Sequence, residues 1–309
     1  MNVVIIGLGS IAAKHIYALR IIDADVKIFA LRSSINADSV DGVQNIQSLD
    51  DVEDLNFVII SNPTSLHYET VKMVAAKGFP MMIEKPAFFE LDGVKDLQNY
   101  INEKNIFTYL ACNLRFHPCL KFLKHQIVEK VHINEVNIYC GSYLPDWRPS
   151  RDYKEVYSAN LEMGGGVHLD LFHEIDYACW IFGFPNQWNT YTSNKSTLDI
   201  NAPDYANYLL EYDKFNINIV LNYYRRKPKR NIEILFEDDT WEVDLLASKI
   251  TNDCGDIIFE VSDFTLMETY VEQMKYFIQK LHTSGTPMND INETIRILKI
   301  CLKNEPIKG

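Results

Sequence analysis

The sequence predicts an α/β protein in two parts: a doubly wound parallel sheet, then an α+β part built on a large, mostly antiparallel open sheet. Three observations carry this. Short β-branched runs alternate with helical patterns as far as Asn113 to Pro118, as parallel strands joined by crossover helices require. A glycine-rich hexapeptide, Gly7-Leu8-Gly9-Ser10-Ile11-Ala12, joins the first strand to the first helix. Beyond Tyr205, strand follows strand with little helix between, which reads as antiparallel pairing. The expected domains are 1–118 and 119–309, with the last helix placed to pack back on the first.

In the first part, strands are expected over 3–6, 26–31, 57–60, 81–83 and 107–111. Helices are expected over 10–22, from 66 or 67 onward, and over 91–103. In the second part, a helix over 120–129 leads into a long strand over 133–143. A loop rich in Pro, Trp and Arg and a glycine triplet follow. One helix then spans 167–182, stopped by Gly183 and Pro185. Further strands are expected over 207–212, 217–224, 231–236 and 240–245. The basic run from Arg225 to Arg230 reads as a charged hairpin turn that discourages edge pairing, with phosphate recognition as its second reading. A final helix starts near Asp290, where Asp290 and Glu293 have capping-box spacing.

The 309 residues carry a formal charge of −12 and 47% hydrophobic residues. That composition supports buried cores and argues against disorder. The acid excess disfavours nucleic acid and anionic membrane as partners, since both select basic surfaces. No apolar run approaches the ~20 residues needed to cross a bilayer. The first residues enter a strand pattern at once, without the basic and apolar regions of a signal peptide. The six cysteines form no C-x-x-C pair and sit mostly among apolar neighbours, so reduced thiols and a cytoplasmic protein are expected. No His, Cys or carboxylate grouping has metal-ligand spacing, so no metal is expected.

The hexapeptide matches G-x-G-x-x-[GA] between a strand and a helix, the context that gives this pattern its meaning. Gly7 permits the tight turn, Gly9 lets a pyrophosphate approach the backbone, and Ala12 lets helix and strand pack closely. Ser10 and Ile11 begin the helix whose free N–H groups would hold the phosphates. The second strand ends in Arg32-Ser33-Ser34, with no acid for the ribose hydroxyls. An arginine flanked by hydroxyls suits a 2′-phosphate, so NADP is favoured over NAD.

Glu84-Lys85-Pro86 closes an apolar run, at the strand end where open α/β sheets bind ligands. The proline holds the preceding residue out of helical geometry, so Lys85 stands on a stiff platform. After the triplet Gly164-Gly165-Gly166, the residues Asp170, His173, Glu174 and Tyr177 fall on one face of the expected helix, opposite an apolar stripe. That face reads either as a wet surface or as the wall of a site. Lys85 and this helix together would supply what carbonyl and alcohol redox chemistry needs, a group that moves a proton while hydride moves to or from nicotinamide. Trp147, Arg148 and Tyr153 lie on a loop that either stacks and grips a nucleotide-linked or acidic sugar, or covers the sheet edge. His67 orients a loop or lines the cofactor pocket, and His117 reads as structural.

These pieces together resemble the Gfo/Idh/MocA family, named for glucose–fructose oxidoreductase and inositol dehydrogenase. The matching segments are GLGSIAAKH (7–15), SNPTSLH (61–67), EKP (84–86), NLRFHP (113–118) and GGGVHLDLFHEID (164–176), in the family's order. The helix is most similar to that of a sub-group acting on surface-polysaccharide sugars. The resemblance implies a Rossmann domain and hydride transfer on a sugar, cyclitol or polyol. It also implies a homodimer or homotetramer formed through the C-terminal sheet. By position, Lys85 matches the lysine at the reacting hydroxyl, Asp170 the aspartate after the glycines, and His173 the catalytic histidine. Family members commonly place that histidine one residue later, where this chain has Glu174. Glu84, Asn62, Pro63 and His67 are expected at the cofactor, and Asn113 and Arg115 at the substrate. An NAD-dependent glycosidase and a non-catalytic dinucleotide-binding regulator are the alternative functions.

Overall fold

The computed structural model describes residues 1–34, 37–127 and 132–302. The expected helix end at 129 lies outside the described residues. The chain divides into two compact units, Met1–Asn113 with Thr265–Arg296, and Leu114–Phe264 with Ile297–Gly309. In chain order the elements begin with β1 (Asn2–Ile6), α1 (Ser10–Ile22), β2 (Lys27–Leu31), β3 (Val43–Ile46), β4 (Phe57–Ile60) and α2 (His67–Ala76). Next come β5 (Met81–Glu84), α3 (Val94–Glu103), β6 (Thr108–Ala111), α4 (Pro118–Gln126), β7 (Ile133–Tyr143), α5 (Val167–Asp170) and α6 (His173–Phe182). The strands β8 (Gln187–Ser193), β9 (Tyr205–Glu211), β10 (Asn216–Asn222), β11 (Tyr224–Phe236) and β12 (Thr240–Asp244) follow. The series closes with β13 (Lys249–Thr251), β14 (Ile257–Glu260), α7 (Leu266–His282) and α8 (Ile291–Leu302).

The first unit is a Rossmann sheet. Its strands run parallel in the order β3-β2-β1-β4-β5-β6, so strand order reverses at β1 and β4, where doubly wound sheets bind ligands. Helices cover both faces, and β4, β5 and β6 are buried at every position. That is why they read FVII, MMIE and TYLA rather than alternating. Phe277 of α7 enters this core, with its ring 4.8 Å from that of Phe57. A reciprocal capping box between Thr265 and Glu268 starts α7.

The second unit is an eight-stranded sheet in the order β14-β13-β12-β11-β7-β10-β9-β8. Only β7 and β10 pair in parallel; the other neighbours are antiparallel. Val136, Ile138 and Cys140 of β7 are buried, whereas the alternating Asn137 and Tyr139 are only half-buried. The same alternation on β9 and β10 gives one core face and one polar face.

Several elements depart from expectation. The strands β3, β8, β13 and β14 and the helix α7 lie outside the expected set; these strands are short, at an edge or only partly buried, and show weak alternation. The expected single helix over 167–182 is two, because Leu171 leaves helical geometry at φ −98° and ψ 38°. No glycine or proline marks this break. Leu171 and Phe172 are both buried there, so the apolar pattern continues across it. The basic run is part of β11 rather than a hairpin turn. Arg225, Arg226 and Lys229 lie on aromatic rings, with the Arg226 guanidinium 3.6 Å from the centre of the Tyr143 ring. The ladder to β7 bulges between Tyr224 and Lys229, which accommodates Pro228 and its missing N–H.

One ion pair lies deep in the second unit. The Arg115 guanidinium donates to both oxygens of Asp176 on α6, at 2.9 and 2.7 Å, with both side chains buried. Removing one partner leaves the other charge buried. Asp176→Ala is therefore expected to lower unfolding free energy by ~3–5 kcal/mol, read as a shift of the urea midpoint of the full chain.

Candidate functional site

In the first unit, the turn after β1 forms an anion cradle. Gly7 has φ +98°, and a Cβ there would sit 2.4 Å from the backbone nitrogen of Asn62. No other residue fits at this position. Gly9 caps α1 without any side-chain hydrogen bond, and the first turn of α1 holds no acid. The leading N–H groups of α1 therefore have no side-chain acceptor at the cap and carry the positive end of the helix dipole. A Cβ on Gly9 would meet nothing within 4 Å, so the space above the cradle is open. Ala12 is buried beneath it. Ser10 is exposed and Ile11 half-buried at the rim. The arrangement fits a pyrophosphate.

The neighbouring strand ends complete this half. The Arg32 N–H continues the ladder to Ile46, and its guanidinium reaches the carbonyl of Asp38 at 3.3 Å. Ser33 and Ser34 are exposed beside it. The Asn62 side-chain amide donates to Thr70, and Pro63 leads a short 3₁₀ turn into α2. The buried His67 ring spans two loops. Its Nε2 lies 2.9 Å from the Asn62 carbonyl, and its Nδ1 lies 3.1 Å from that of Pro86. Burial, the largest effect, pushes its pKa down, opposed by these carbonyls. Lys85 is half-buried at the end of β5 and joined to Pro86 by a cis peptide. Glu84 is buried, and its carboxylate lies 2.6 Å from His15 Nε2. Asn113 is buried too, and donates to Thr269 at 2.7 Å.

The second unit gathers other candidates. Gly164 and Gly166 have φ of +77° and +132°, and a Cβ on Gly165 would lie 2.0 Å from the Tyr157 carbonyl. The triplet thus seats α5 directly against the turn at Tyr157. Asp170 is buried at the end of α5 and accepts the Tyr223 hydroxyl at 2.5 Å. The Asp170 charge also acts on the buried Tyr157 phenol. Burial, reinforced by the Asp170 charge, holds both phenols protonated, with pKa values raised. The Trp147 ring stands edge-on to Tyr223 at 5.3 Å, and the Arg148 guanidinium lies 5.2 Å from the centre of Tyr157. Tyr157 and Tyr223 thereby join Trp147 and Arg148 to Asp170. Neither tyrosine stands in a motif, and only the fold reveals them.

Other predicted residues are engaged elsewhere. Tyr153 donates to the Leu198 carbonyl at 3.0 Å. Arg115 holds Asp176, as described above. Glu174 is fully buried and accepts from the Arg230 guanidinium at 2.7 and 3.3 Å. Tyr177 is fully buried as well, with its pKa raised first by burial and then by Glu174. His173 is buried as the first residue of α6. The polar residues expected on one helix face are therefore in the interior rather than on a wet surface.

Comparison with known proteins follows the same lines. Residues 1–110 match the model of the Gfo/Idh/MocA oxidoreductase family, described as an NAD-binding Rossmann fold. Levoglucosan dehydrogenase of Pseudarthrobacter phenanthrenivorans is 27% identical over 139 residues, covering 44% of this chain and 35% of that protein. The chain spans between a third and about a half of the first curated relatives it matches. The structure of levoglucosan dehydrogenase with NADH and levoglucosan superposes with a TM-score of 0.83 at 15% identity, over 97% of this chain and 95% of that one. The WlbA dehydrogenase of Bordetella pertussis, with NADH and UDP-GlcNAcA, gives 0.78 at 18% identity, over 97% and 93%. At these identities the structures establish the shared two-part fold.

Two predictions follow from this geometry. Gly9→Ala should leave the melting temperature unchanged but weaken NAD(H) or NADP(H) binding at least tenfold by titration calorimetry, because its methyl enters the open cradle. Gly7→Ala should lower the melting temperature as well. The second prediction concerns pH. Burial, the largest effect, lowers the pKa of both His117 and His168 to about 4. Both remain neutral when folded and protonate in the unfolded chain below 6.5, their ordinary value. The unfolded state then binds more protons, so stability falls as pH drops from 6.5 towards 4. Each contributes on the order of 3 kcal/mol across that window. Urea unfolding between pH 7.5 and 4.5 should show the slope, and His168→Asn should reduce it.

Proposed function

We propose that this chain is an NAD(P)-dependent oxidoreductase acting on a sugar, closest to the sub-group that handles surface-polysaccharide sugars. The observation that carries the reading is the open anion cradle at α1 in the same unit as Lys85 at the end of β5. Gly7, Gly9, Ser10, Ile11 and Ala12 would hold the pyrophosphate. Arg32, Ser33 and Ser34 would hold a 2′-phosphate, which favours NADP. Asn62, Pro63 and His67 would border the remainder of the cofactor, while Glu84, buried with both carboxylate oxygens taken by His15 and the Lys85 N–H, would support that site through Lys85 without touching the cofactor. When bound, the nicotinamide donates or accepts the hydride.

In the oxidising direction, the reacting carbon loses a hydride and its hydroxyl loses a proton. Lys85 Nζ holds that oxygen, and Lys85 or His173 takes the proton; in reduction the same group returns it. Asp170, braced by the Tyr223 hydroxyl, accepts a substrate hydroxyl. The ion pair to Arg230 keeps Glu174 from acting as the proton carrier, which leaves His173 in that role on its helix. Asn113, Arg115, Tyr153 and Tyr177 are engaged within the fold, so their part is to shape the site rather than to contact substrate. Trp147 and Arg148 favour a nucleotide-linked or acidic sugar, since an indole stacks on rings and a guanidinium grips anions. Among the similar proteins, WlbA is named with UDP-GlcNAcA and levoglucosan dehydrogenase with levoglucosan. The polar face of the eight-stranded sheet suits pairing with a second copy as a homodimer or homotetramer. The chain would act in the cytoplasm, where its thiols stay reduced.

The test is a thermal-shift screen of nucleotide sugars with NADP and NAD, followed by absorbance of reduced nicotinamide. Turnover of a sugar with either cofactor is the expected outcome, and dinucleotide binding without turnover across the panel would defeat it. Lys85→Met and His173→Asn should each lower kcat by roughly 100-fold or more; full activity in both ends the assignment. Arg32→Ala should raise KM for NADP and leave KM for NAD unchanged.

A further inference from the structure

His15 lies on α1, the helix whose first turn forms the cradle. It is fully buried, and its Nε2 lies 2.6 Å from Glu84 Oε1. The other oxygen of the same carboxylate, Oε2, accepts the backbone N–H of Lys85 at 3.1 Å. Both oxygens of Glu84 are therefore engaged, one by the cradle helix and one by the peptide that carries Lys85. The His15 ring is held in turn by Tyr270 of α7, edge-on at 5.9 Å. Lys14 lies over that tyrosine, with Nζ 4.8 Å from the ring centre and 3.5 Å from its hydroxyl.

A buried pair of this kind adds little net stability compared with apolar side chains of the same volume, because desolvation offsets the attraction. What it does supply is geometry. A carboxylate bound at both oxygens has one orientation, and here it sets the direction in which the main chain leaves β5. The next side chain is Lys85.

We infer that His15 and Glu84 are positioning residues, a hydrogen-bonded couple that ties Lys85 to the dinucleotide-binding helix and holds it for proton transfer. This rests on the oxidoreductase reading. The couple touches the reaction only through Lys85. It fixes the lysine relative to the helix that would bind the pyrophosphate, so reacting groups keep their register when the cofactor exchanges.

The test uses Glu84→Gln, which keeps the shape but has one acceptor for two donors, and His15→Gln, which keeps a donor of different reach. With the sugar that wild type turns over, kcat should fall roughly 100-fold, the scale of a misplaced catalytic group. The KM for cofactor and its dissociation constant by calorimetry should not change. The double variant should lose no more than the worse single one, because both act through the same bond. A readout free of catalysis comes from reductive ¹³C-methylation of the lysines, with the Lys85 resonance assigned by its absence in Lys85→Arg. That resonance should shift and broaden in both variants. An unshifted Lys85 resonance, an unchanged kcat, or an equal loss of dinucleotide binding overturns the inference. So does failure of both variants to fold, since the couple would then be structural. If wild type turns over no sugar, the functional reading fails separately, while the lysine resonance and the dinucleotide titration still judge the couple.

Discussion

The closeness of β1 and β4 at their carboxyl ends is the constraint on which the first unit depends. A single added carbon at Gly7 would collide with the Asn62 backbone at 2.4 Å, and the Ser61 hydroxyl donates to the Gly7 carbonyl at 2.9 Å. From there the frame continues outward. The Asn62 carbonyl meets the His67 ring, and that ring meets the Pro86 carbonyl beside Lys85. Glu84 closes the frame from the other side through His15. The loops after β1, β4 and β5 are thus joined by hydrogen bonds, and the cradle and the lysine share one scaffold. Rigid support of this kind is what a positioned catalytic group requires, since small displacements are expensive in rate.

In the second unit, the organising problem is buried charge. Asp176 and Glu174 lie within one turn of each other on α6, and each is matched by an arginine from elsewhere in the chain, Arg115 and Arg230. Asp170 receives a phenolic donor from Tyr223, with the Tyr157 phenol under the influence of its charge. Guanidinium pairing neutralises a carboxylate, whereas hydroxyl donors leave its charge in place while fixing its direction. The three acids therefore have different chemical capacities despite lying close in sequence. The break at Leu171 puts Asp170 and His173 on separate helices. Their spacing along the chain is therefore not a spacing of positions on one continuous helix.

Much was legible from residues 1–113, because the information there is local. Runs such as FVII can only be buried strands, and Gly7 and Gly9 mark a turn and an open helix start that the structure shows in place. Beyond Tyr205 the succession of strands with little helix between foretold the antiparallel pairing for the same reason. Backbone preference and burial period are properties of neighbouring residues, so by itself the sequence determined the fold class, most strand and helix positions, the glycine turn before α1 and the place of Lys85 at the end of β5. Tertiary structure alone decided who pairs with whom. His15 with Glu84, Arg115 with Asp176, Arg230 with Glu174 and Tyr223 with Asp170 are joined across long stretches of chain. The basic run became strand because aromatic rings and a buried acid received its cations. Side-chain partners depend on which surfaces the folded backbone brings within a few ångströms, and no local pattern encodes that distance.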